Sequence, residues 1–87
     1  MGVKATDIWK LKTYVAESIS GATNKDVRSN TLTYNSLKEV DTNVYELEGE
    51  YSYYDYSTSK DQSGSYKATV TLNGEITLLI IDDRVII

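Results

Sequence analysis

The sequence predicts an α+β fold, with one N-terminal helix packed on a three- or four-stranded antiparallel sheet in the order α-β-β-β-β. Three observations predict it. Ile8, Leu11, Val15 and Ile19 recur at spacings of three and four, the period of a helix with one apolar face. From Val44 the period changes to two, as in a half-buried strand. Asn73-Gly74 then separates two strand-like runs, the strongest short-range signal of a hairpin.

The helix comes first. Thr6 or Asp7 is suited to cap it, because a short side-chain oxygen accepts a hydrogen bond from the free amides of the first turn and Asp7 complements the positive end of the helix dipole. Gly21 is the expected stop, since glycine takes the left-handed C-cap conformation without steric cost. Trp9 falls off the apolar stripe, near Lys12 and Thr13, and reads either as a partly buried core edge or as an interface anchor. Residues 22–43 carry the weakest pattern. Gly21 to Asp26 reads as a connection, Arg28 to Tyr34 as an edge strand with Leu32 and Tyr34 on one face, and Ser36 to Thr42 as a short helical turn or bend.

The strand that begins at Val44 places Tyr45, Leu47, Gly49, Tyr51 and Tyr53 on one face and Glu46, Glu48, Glu50, Ser52 and Tyr54 on the other. Gly49 is expected to mark a bulge or a close approach by the helix. Ser57 to Ser65 is polar and reads as a mobile loop. In the closing hairpin, a two-residue Asn-Gly turn would pair Leu72 with Glu75 and mix polar and apolar faces. A three-residue loop, Leu72-Asn73-Gly74 with Gly74 left-handed, pairs Thr71 with Glu75 and aligns Tyr66, Ala68 and Val70 with Ile76, Leu78 and Ile80. That register sends Leu79 and Ile81 to the opposite face. The last strand is then apolar on both sides, and one helix covers only one of them. Asp82-Asp83-Arg84 is expected either to interrupt that strand or to extend it as a charged edge.

The order of elements over residues 8 to 83, with its Tyr66-to-Ile80 hairpin, resembles small cystatin-like and PepSY-like domains and, more loosely, the gas vesicle accessory protein O family. The resemblance implies a fold and carries no residue role to this chain.

Composition narrows the chemistry. The 87 residues correspond to a single α+β domain, 1–87, in the size range where burial narrowly offsets chain entropy. There is no cysteine and no histidine, so disulfides, thiolate metal sites and the commonest general base are missing. The longest run of large apolar residues, Leu78 to Ile81, is too short to cross a bilayer, and no signal-peptide core is visible, so the expectation is a cytoplasmic protein without membrane partners. Met1-Gly2-Val3-Lys4-Ala5-Thr6 fits the permissive N-myristoylation pattern and is read as a chance match.

Charge is uneven. Residues 1–38 carry six bases against three acids and residues 39–87 carry ten acids against three bases, an asymmetry expected to attract within one fold or across a dimer. Scattered bases beside an acidic sheet do not form a nucleic-acid footprint. Glu46, Glu48 and Glu50 are the best-placed carboxylates, but the loop spacing of a calcium site is missing and solvated sheet surface accounts for them. No phosphate loop, dinucleotide fingerprint, nucleophile elbow or zinc spacing is present, and no cofactor is implied.

The eight tyrosines and the absence of phenylalanine point to contact rather than catalysis, because each hydroxyl must reach water or a partner. The expectation is therefore a non-enzymatic protein-interaction module, self-associating as a homodimer or binding another protein. Tyr54, Tyr56, Leu79, Ile81, Val85 and Ile86 would form the interface. The alternative is a small-ligand or cation-binding domain with a pocket between helix and sheet lined by Trp9, Tyr45, Tyr51 and Tyr53.

Overall fold

The computed structural model describes residues 4–87; the lipidation pattern at Gly2 lies outside them. Helix α1 (Ala5–Thr23) and a 3₁₀ turn (Ser29–Thr31) precede five strands: β1 (Ser36–Asp41), β2 (Val44–Asp55), β3 (Lys60–Thr71), β4 (Ile76–Ile81) and β5 (Arg84–Val85). The strands form one antiparallel meander in chain order, with the helix on one face. The α+β class and element order are as the sequence predicts, with one strand more than expected. No described helix is long and apolar enough to cross a membrane.

The helix starts earlier and ends later than its cap residues suggest. Asp7 and Ile8 donate backbone hydrogen bonds to the Lys4 carbonyl, so Thr6 and Asp7 lie inside the first turn instead of capping it. Gly21 is also helical. The left-handed C-cap is Asn24, whose amide donates to the Ser20 carbonyl, and asparagine tolerates that conformation. The extra turn is tied to the next segment by Ser20, whose hydroxyl donates to the Val27 carbonyl at 2.7 Å and accepts from the Val27 amide at 3.0 Å. Leu11, Val15, Ala16 and Ile19 are buried against Leu47, Ala68, Val70 and Leu79.

Residues 28–42 depart most from expectation. The predicted strand Arg28 to Tyr34 is a 3₁₀ turn followed by a single bridge, Leu32 to Tyr51, while the predicted bend Ser36 to Thr42 contains β1. Leu32 is buried as expected, but Tyr34 is exposed. The reason lies at Gly49. A Cβ there would stand 2.6 Å from the Tyr34 Cα, so the backbone of residues 33–34 occupies the space a side chain would fill. The close approach at Gly49 is by this segment and not by the helix.

Twelve rungs join β2 and β3, from Val44–Thr71 to Asp55–Lys60. The Ser57 to Ser65 loop is correspondingly short: only Tyr56 to Ser59 turn the chain, and the rest is strand. Asp55 organises that turn by accepting from the Ser57 amide and hydroxyl, which hold its carboxyl below the usual range.

At the β3–β4 turn the Thr71 amide donates to the Glu75 carbonyl and Gly74 has φ +92°, so the three-residue loop is correct at its tip. The face assignment that followed from it is not. Val70 pairs with Ile76 but Thr69 pairs with Leu78, leaving Thr77 as an unpaired bulge residue. From there the register slips by one. Ala68 faces Leu79 and Tyr66 faces Ile81, and Leu79 and Ile81 are 0% and 4% exposed, while Leu78 and Ile80 lie on the outer face. A second turn follows. Asp82 and Asp83 both have positive φ, 50° and 67°, and reverse the chain into β5, so of the two expectations the segment interrupts β4 and does not extend it as a charged edge.

Candidate functional site

The tyrosines divide by face as the period of two predicts. Tyr45, Tyr51 and Tyr66 are buried and Tyr53 is half-buried, and the buried hydroxyls at 51 and 66 are bonded. Tyr66 donates to the Thr33 carbonyl at 2.7 Å and Tyr51 to Asp82 Oδ2 at 2.8 Å. Burial pushes both phenols above their ordinary range, and for Tyr51 the hydrogen bond and charge of Asp82 add to it. Asp82 Oδ1 also accepts from the Ser65 amide at 2.9 Å. The ring of Tyr51 lies across Gly64, where a Cβ would stand 2.6 Å from its Cζ. One carboxylate therefore ties the β4–β5 turn to β2 and β3.

These contacts remove two residues from the expected interface. Leu79 and Ile81 are core residues, because the bulge at Thr77 turns them toward the helix. The surface they were expected to form is carried by Leu78, Ile80 and Val85: Thr69 pairs with Leu78, Lys67 with Ile80, and Ile80 with Val85 across the outer face. The doubly apolar strand revealed that such a patch exists, but alternation alone assigned it to the wrong residues.

Val85 is 70% exposed on strand β5 at the sheet margin. Ile86, also exposed, lies on the helix side, where Ala22, Thr23, Ile81, Arg84 and Ile86 line a cavity of about 430 Å³. Tyr54 and Tyr56, 45% and 82% exposed, are at the far end of the long hairpin, their rings edge to face at 4.9 Å. The expected interface residues thus belong to three places: the core, the β5 margin and the hairpin tip.

The expected ligand pocket does not assemble either. Trp9 is 58% exposed on the solvent side of the helix, whereas Tyr45 and Tyr51 are packed in the core. Tyr53 stacks on Tyr51 at 6.3 Å and lies under the Lys25 ammonium at 5.5 Å. Among the described residues no group of three or more acids is placed to hold a metal ion.

What the structure does build is a shallow concavity of about 480 Å³ on the outer face, beside the apolar row. Glu48, Glu50, Ser65, Lys67, Ile80 and Asp83 line it, giving an acidic rim next to an apolar wall. The alternate glutamates project outward as expected, and Glu46 makes a 3.9 Å ion pair with Lys67. Among the described residues no ion pair joins helix to sheet, so the attraction expected between the two charge halves is not made by direct contact within the fold. Compared with models of protein families, with curated proteins and with solved structures, the chain gives no match.

Proposed function

We propose that this protein is a non-enzymatic interaction module that self-associates, a dimer being the smallest assembly, through the outer sheet face and the C-terminal strand. The observation that carries the reading is the apolar row Leu78–Ile80–Val85, which runs from the outer face to the margin strand β5. Helix α1 covers the other face, and on this one Leu78 and Ile80 are half-buried and Val85 is 70% exposed. A contiguous apolar patch beside polar residues is the usual composition of a contact surface. The patch also ends on a strand margin whose free backbone groups suit association.

Sedimentation velocity over micromolar concentrations is the direct test. The expected result is a mass that rises with concentration in the native chain and remains monomeric in Val85→Asp. A native chain that stays monomeric at every concentration would overturn the proposal.

A further inference from the structure

The second surface in such an assembly need not be the same patch. We infer that the outer-face concavity receives the Trp9 side of helix α1 from a second copy, so that the chains associate head to tail. This rests on the self-association proposed above and specifies its geometry.

Two surfaces on opposite faces of the sheet-and-helix layer complement each other in charge and apolar character. The concavity presents Glu48, Glu50 and Asp83 around Ile80, which pairs with exposed Val85; the one base in its lining, Lys67, is already engaged by Glu46, so the carboxylates dominate. The helix presents Trp9, the largest side chain in the protein and more than half exposed, with Lys10 next to it in sequence, Lys12 one turn further along the helix and Lys4 at the N-cap. Among the described residues none of these lysines is in an ion pair. An exposed tryptophan with a lysine one turn away matches a depression with acidic residues and an apolar wall: the indole packs against Ile80 and Val85 while the Lys12 ammonium reaches the carboxylates.

An isologous arrangement of the same concavity would bring Glu48, Glu50 and Asp83 toward their own copies, which like-charge repulsion opposes. A standard interface buries about 800 Å² on each partner, roughly a seventh of the 5619 Å² surface, an area a helix face in a groove can supply. Because donor and receptor surfaces are distinct, the assembly grows past a dimer as concentration rises, into a ring if the rotation between copies closes and a filament if it does not.

Complementation tests this geometry. One variant, Trp9→Ala, loses the inserted side chain and keeps the receptor. The other, Glu48→Lys with Glu50→Lys, loses the receptor and keeps the helix. All three positions are exposed, so both variants fold, as circular dichroism would verify. The expected result is that each variant alone associates about tenfold or more weakly than the native chain. An equimolar mixture forms a one-to-one dimer that grows no further, because each member retains only one working surface. The native chain should also associate more weakly as salt rises, since its ion pairs lie at a solvent-accessible rim. If Trp9→Ala associates as the native chain does, the head-to-tail geometry is overturned while self-association stands. If the native chain is monomeric, both fail.

Discussion

The long β2–β3 hairpin has two halves made of the same residue types and used in different ways. Near the Val44–Thr71 end, Tyr45, Leu47, Ala68 and Val70 are buried beneath the helix. Beyond Tyr51–Gly64 the hairpin continues to Tyr53, Tyr54 and Tyr56, which are half-buried or exposed. Length explains the difference. The 19 residues of the helix span about 28 Å, while the 12 residues of each strand span about 40 Å, close to the 42 Å longest dimension of the molecule. The middle of the helix lies at the β3–β4 turn, where Tyr14 meets Gly74, so only its second half runs along the sheet away from that turn, and the chain beyond its end reaches only as far as Lys25 over Tyr53. A tyrosine is therefore a core residue or a surface residue according to whether the helix reaches it.

Truncation at the covered end should have the largest effect. Leu47→Ala and Leu79→Ala each remove a fully buried side chain from under the helix and should cost about 2–5 kcal/mol in denaturant unfolding. Leu79 is the sharper test, because a small cost there would mean that the bulge at Thr77 does not form. Tyr66→Phe should cost about 1 kcal/mol, since the Thr33 carbonyl loses its phenol donor while the ring stays packed.

Alkaline pH probes the same buried residues. Tyr51 and Tyr66 have phenol pKa values raised by folding, so they favour the folded state fully below the unfolded value of about 10. That contribution declines as pH rises from there toward the folded values, because the unfolded chain ionises first. Equilibrium unfolding between pH 9 and 11 should therefore show falling stability, with a shallower fall in Tyr51→Phe and Tyr66→Phe. An unchanged slope in both variants would contradict the assignment.

The smallest effect is expected at the uncovered end. Tyr54→Ala and Tyr56→Ala should change stability by less than about 0.5 kcal/mol, since neither ring packs in the core. A larger loss, measured in the same titrations, would mean that the overhanging hairpin braces the fold.

Much of this comparison was legible in residue order. The inward set Tyr45, Tyr51 and Tyr66 and the outward Tyr54 and glutamates follow from the period of two, which the pleat imposes on any half-buried strand. Two polar segments were read less well. Ser57 to Ser65 lacks apolar anchors, yet most of it is strand because backbone pairing with β2 does not require them. Ser36 to Asp41 is a margin strand whose exposed Lys38, Glu39 and Asp41 leave almost no periodic signal.

Residue order alone is enough for the α+β class, the helix stripe, the three-residue loop before Glu75 and the presence of more apolar surface than one helix can cover. These follow from local periodicity and turn chemistry, which each segment carries alone. Which residues form that surplus depends on how the elements pack. Ile76-Thr77-Leu78-Leu79-Ile80-Ile81 is apolar at five of six positions, so alternation cannot choose its register. The choice was made by packing: a bulge at Thr77 sets Leu79 against Ala68 and Ile81 against Tyr66 beneath the helix, and leaves Leu78 and Ile80 outside.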